Sequence, residues 1–148
     1  MRTRTLRAAF VLALAALILT PGTASAATKS AHCQRTVDIG TYHGYGWTYY
    51  HYSGGYDYID SFKYRILGPS VTTHNNVEIQ QMLDWWGADD ELYHWASPDN
   101  RRTGTLYTHY PTRTVRIAGS DDTHSTYFFV FDRPNWVDPQ CAAETPSW

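Results

Sequence analysis

Cysteine is scarce in this chain, basic clusters are missing, and no apolar stretch is long enough to cross a membrane. Each absence excludes something. The two cysteines, Cys33 and Cys141, form no C-x-x-C pair, so neither a dithiol redox centre nor a thiolate metal site has its usual ligands. The longest apolar run, Ala8 to Leu19, has 12 residues, where a spanning helix needs roughly 18 or more. Without a run of Lys and Arg there is no electrostatic footprint for nucleic acid or anionic lipid. No Asn-x-Ser/Thr sequon occurs, and no linker or repeat at solenoid spacing divides the chain.

The N-terminus reads as an export signal. Arg2, Arg4 and Arg7 form a basic start, the apolar run follows, and Ala24-Ser25-Ala26 is an A-x-A cleavage pattern leaving Ala27 first. A lipid anchor would need a cysteine at that position. The expectation is a signal peptide over 1–26 and one secreted, extracellular domain over 27–148, with no membrane anchoring and no nucleic-acid partner. Cleavage would leave nine Lys and Arg against 14 Asp and Glu, a net charge of −5. The remaining 122 residues hold 22 of the 23 aromatics, which suits strands and a bulky core.

Two cysteines in an exported chain are most simply one bridge. Cys33 is seventh in the mature chain and Cys141 eighth from its end, so the loop encloses nearly everything. Such a bridge contributes about 2 to 4 kcal/mol. Ala142 to Trp148 reads as a loose tail beyond it.

From Tyr42 to Leu67 the chain reads as two strands around the turn pair Gly54-Gly55. A two-residue turn pairs His51 with Tyr58, Tyr49 with Asp60, Trp47 with Phe62, Tyr45 with Tyr64 and His43 with Ile66. One face is then nearly all aromatic and the other mostly small or charged. Segregation of this kind predicts that Tyr45, Trp47, Phe62 and Tyr64 face the core. A second hairpin is expected through Pro111-Thr112, pairing Leu106 with Ile117 and Thr108 with Val115 and stacking Arg116 on Tyr107. Thr126 to Phe131 is apolar on both faces, as in a central strand.

Val77 to Trp86 fits two readings. Ile79, Met82, Leu83 and Trp86 have helical spacing between a cap at Asn76 and a stop at Gly87, while Val77, Ile79, Leu83 and Trp85 alternate. The surrounding strands favour strand, folding back through Gly87 to Asp90 onto Glu91 to Ala96. The fold class expected is all-β: a two-layer antiparallel β-sandwich of about seven to nine strands, with one possible helix at 77–86. Either reading leaves a large aromatic hard to bury, and exposed apolar patches are often interaction sites. Candidate binding residues are therefore Trp85, Trp86, Tyr93 and Trp95, with Asp84 and Glu91 as polar contacts, for a glycan or an extracellular protein partner.

Catalytic and metal signatures are thin. No H-E-x-x-H, H-x-H or Cys/His cluster occurs, and His43 and His51 are eight strand residues apart. Asp89-Asp90-Glu91 and Asp121-Asp122 lack the alternating ligands of a calcium loop. There is no G-x-S-x-G elbow. No metal or cofactor is expected on these grounds, and no catalytic residue is identified. Arg113-Thr-Val-Arg116 followed by Asp122-Thr-His124-Ser-Thr-Tyr127-Phe128 faintly resembles the end of the small secreted bacterial ribonucleases. That resemblance implies an alternative, a small extracellular hydrolase with His124 as general acid and Arg113 and Arg116 holding phosphate. Leu106 to Tyr110 supplies no glutamate base.

Overall fold

The computed structural model describes residues 25–148. All but the last two residues of the expected export signal lie outside that range. Nine strands form two antiparallel sheets packed face to face. The first sheet runs β1 (Ser25–Val37), β2 (Gly40–Ser53) and β3 (Tyr56–Leu67), with β6 (Leu106–His109) and β7 (Arg116–Ala118) both on the far side of β3. The second is ordered β5 (Asp90–Ala96), β4 (Asn76–Leu83), β8 (Thr123–Val130), β9 (Gln140–Glu144). Within segment 77–86 the chain is thus strand as far as Leu83, without a helix, and Asp84 to Trp86 belong to the connection that follows.

The hairpin of β2 and β3 turns at Gly54 and Gly55, whose φ values of 59° and 87° match a two-residue turn that follows strand twist. The expected register holds only near this turn, from Ser53↔Tyr56 to Tyr50↔Ile59. There β3 inserts Asp60 as a bulge, and beyond it Tyr49 pairs with Ser61, Trp47 with Lys63 and Tyr45 with Arg65. A one-residue slip exchanges the faces of a strand. Phe62 and Tyr64 are buried as expected, but Tyr45 and Trp47 point away from the core.

The inner face of β2 is instead Tyr42, Gly44, Gly46 and Thr48, all buried. Two rings of β8 lie flat on the glycines. Phe129 covers Gly44, and a Cβ on Gly46 would meet Tyr127 Cγ at 2.5 Å. At these two positions the core is rings from β8 against backbone from β2, while Tyr42, Phe62 and Tyr64 bring rings from the first sheet on either side. Thr48 sits at its polar centre. Tyr127 Oη donates to Thr48 Oγ1 (2.9 Å), which donates to Ser125 Oγ (2.7 Å), which donates to Gln81 Oε1 (2.5 Å). Gln81 Nε2 donates in turn to Thr123 Oγ1 at 2.7 Å, and Thr123 Oγ1 to the Met82 carbonyl. Every buried polar atom of this relay has a partner, which is the condition for tolerating one in a core.

The sandwich is closed at both sides. Cys33 on β1 bonds Cys141 on β9 across 108 residues, with a Cα separation of 5.9 Å, and the bridge suits an oxidising compartment. On the opposite side, Trp95 of β5 stacks on His109 of β6 with centroids 3.9 Å apart. Tyr93 Oη also hydrogen-bonds His109 Nε2 at 2.7 Å.

Two further expectations are corrected. Segment 106–118 makes no hairpin with itself. β6 and β7 run end to end along β3, with Tyr110 to Val115 looped out between them, and Ile59 N–H donating to Val115 O at 3.1 Å. Arg116 consequently lies over Tyr56, at 4.4 Å, while Arg101 covers Tyr107. Nor is the C-terminus loose, since it contains β9, and Trp148 exchanges two backbone hydrogen bonds with Thr123 and stacks on Tyr50.

Candidate binding face

Strand pairing assigns the outer face of the first sheet row by row. Across it lie His32·Tyr45·Arg65·Leu106, then Ser30·Trp47·Lys63·Thr108, then Thr28·Tyr49·Ser61, then Ala26·His51·Tyr58·Arg116. The glycine-lined inner face of β2 is the reason these rings are outside. Once Tyr127 and Phe129 occupy the space beside Gly44 and Gly46, alternation sends His43, Tyr45, Trp47 and Tyr49 outward.

The rings form a ladder along β2. His32 stacks on Tyr45 at 4.4 Å and Tyr45 on Trp47 at 6.1 Å, with planes 11° to 19° apart. His43 joins through His32, whose Nε2 is 3.2 Å from His43 Nδ1. The order then changes, because Tyr49 takes the ammonium of Lys63 over its ring, at 4.5 Å. Where the ladder breaks, Trp47, Tyr49, Lys63, Arg65 and Leu106 line a depression of about 290 Å³. A second depression of about 290 Å³ lies beyond it, lined among others by His51, Tyr58, Asp60, Tyr110 and Arg113. The bulge positions its polar floor, for it turns Asp60 outward to accept from His51 Nδ1 at 2.7 Å. His51 also stacks on Tyr58.

Charge separates cleanly between the two faces of the sandwich. The outer face of the first sheet carries Lys63, Arg65 and Arg116 against the single carboxylate Asp60. Among the described residues none of those three cations is in a salt bridge. The four strands of the second sheet contain no Lys or Arg at all. Its outer face carries Glu78, Glu91 and Glu144, with His94 bonded to Glu78 at 2.9 Å.

The six residues singled out from the sequence do not share one surface. Trp85 and Trp86 are exposed on the β4–β5 connection. Tyr93 is 4% exposed, and with Trp95 it faces inward, because β5 pairs Tyr93 with Gln81 and Trp95 with Ile79. The loop from Asp84 to Asp89 is longer than a four-residue turn from Gly87, and a bulge at Leu92 shifts the register again. Glu91 is exposed on the outer face, 3.9 Å from His94. Asp84 accepts from His124 Nδ1 and, through its other oxygen, from Ser147 Oγ at 2.7 Å.

Asp84 and His124 also stand beside Asp89, so that one ligand atom from each of the three lies within 4.8 Å of the others. The grouping was invisible in the sequence because Asp84 and His124 are 40 residues apart and meet only through the pairing of β4 with β8. The Asp84 carboxylate is already engaged at both oxygens. The hydrolase alternative fares worse in geometry. His124 is on the outer face of the second sheet and Arg116 on that of the first, so they cannot hold one phosphate. Arg113 is on the 110–115 loop, its guanidinium donating to the Leu92 carbonyl. No protein-family model matches this chain, and no curated protein or solved structure matches it either.

Proposed function

We propose that the protein is a secreted, non-catalytic binding module whose ligand lies on the outer face of the first sheet, a face apt for a glycan or an extracellular protein. The observation that carries this is the inversion of β2. A strand with Tyr45, Trp47 and Tyr49 on one side and Gly44 and Gly46 on the other buries the glycines and leaves the aromatics half exposed. Solvent-facing rings add nothing to a core, and aligned apolar groups of this size on a soluble domain mark contact surfaces. The basic, apolar and A-x-A sequence of residues 1–26 and the Cys33–Cys141 bridge support the compartment.

A panel of immobilised glycans and purified extracellular proteins tests the reading. Trp47→Ala should abolish capture of whichever ligand is bound while leaving the unfolding midpoint in place, and Trp86→Ala should change neither. Capture that survives Trp47→Ala but is lost with Trp86→Ala would move the site to the β4–β5 connection and end this proposal.

A further inference from the structure

We infer that the ligand is an anionic polysaccharide, held as an extended chain along β2 and β3 across both depressions of the outer face. This rests on the binding-module reading and adds the chemistry and length of the occupant. Three observations converge on it.

The first is charge. A chain whose expected mature form carries −5 nonetheless places Lys63, Arg65 and Arg116 on one face, unpaired with carboxylates and opposite an acidic sheet. Long-range attraction selects an acidic ligand and orients it to this face, since the other repels it. Arginine at such a position presents a fork matched to carboxylate or sulfate.

The second is the shape and make-up of the depressions. Trp47 and Tyr49 flank the first, and Tyr58 and Tyr110 line the second. Around them stand hydroxyls and imidazoles: Ser30, Thr108, His32 and His51. Aromatic carbon beside many small hydrogen-bonding groups complements a sugar, which offers C–H surface ringed by hydroxyls. A protein interface needs about 800 Å² per partner around an apolar centre. Here Leu106 is the sole aliphatic among the rows from His32 to Thr108.

The third is spacing. Trp47 and His51, one in each depression, are four residues apart on β2, which is roughly 13 Å at about 3.3 Å per residue. Single sugars cannot touch both. An oligomer can, and linking two weak sites through one ligand strengthens binding without new contacts.

Titration calorimetry of the mature protein with graded uronate oligomers and a sulfated polysaccharide is the experiment, with a neutral glucan and a single-stranded oligonucleotide alongside. Affinity should rise steeply from monomer to oligomer, fall with added salt, and be absent for the glucan. Retention of uronates assigns the charge as carboxylate, and of the sulfated polymer alone as sulfate. Arg65→Glu, at an exposed position that folding does not need, should weaken binding by about tenfold or more, one lost charge-assisted contact. Equal binding of neutral glucan, tighter binding of the oligonucleotide, or indifference to Arg65→Glu would overturn the inference. Should every glycan fail while Trp47-dependent capture of a protein persists, the polysaccharide is excluded and the binding-module reading stands.

Discussion

The backbone of Gly46 lies so close to the ring of Tyr127 that a Cβ there would stand 2.5 Å from Cγ. Because Tyr127 is fully buried and its hydroxyl is tied to Thr48, the ring cannot withdraw. Gly46→Val should therefore destabilise the domain by about 1 to 3 kcal/mol or more, the cost of overpacking a filled core. Equilibrium denaturation measures it. Trp47→Ala, one residue along but facing out, should cost little. If the two variants lose equal stability, the strand is not facing as described.

The same two positions explain what was legible in the sequence. Class, strand number, the bridge and the Gly54-Gly55 turn could be read because they depend on local chemistry and composition. Which side of β2 faces the core could not. Aromatic segregation looked like a core face, since hydrophobic pattern usually fixes register. Here the partner rings come from β8, some 80 residues away, and only their arrival makes glycine the buried residue. Bulges at Asp60 and Leu92 leave no mark in composition either. Each slips one register and moves residues between faces, which is why Tyr45 and Trp47 came out and Tyr93 and Trp95 went in.

Alkaline pH should unfold the protein through its buried phenols. Burial pushes Tyr64 up to about 12, with Arg101 partly opposing, and burial raises Tyr127 as well. An unfolded tyrosine ionises near 10. Above that value the unfolded chain releases protons that the folded one retains, so stability is complete below pH 10 and declines as pH approaches about 12. Thermal midpoints across this range show the decline, and Tyr64→Phe should flatten it. An unchanged slope in that variant would remove Tyr64 from the account.

Reduction should weaken the fold without dismantling the binding face. The bridge ties β1 to β9, at the opposite side from β6 and the Trp95–His109 stack. Its loss should cost about 2 to 4 kcal/mol. Lys63, Arg65 and Tyr49 remain on β2 and β3, whose pairing with each other involves neither cysteine. Below the lowered midpoint, reduced protein should still bind its ligand; a midpoint indifferent to reductant would show that the strands alone hold that edge.

Trp86 and Trp95, on either side of Asp89-Asp90-Glu91, should behave oppositely. Trp86 is fully exposed on the β4–β5 connection, so Trp86→Ala removes no packed surface and should shift stability by less than about 0.5 kcal/mol. Trp95 stacks on His109 and packs against Tyr64, so Trp95→Ala opens that edge of the sandwich. A part-buried ring of this size should cost about 3 kcal/mol or more. It should also change the acid response. Burial, with Arg101 adding repulsion, holds His109 below the usual histidine value of 6.5. As pH falls through 6.5 the unfolded chain takes up a proton that folded His109 refuses, and stability drops. Removing the Trp95 cover lets water reach the imidazole and should shallow that drop. Equal acid slopes in Trp95→Ala and parent would assign the buried character of His109 to Tyr93 and Phe62 instead.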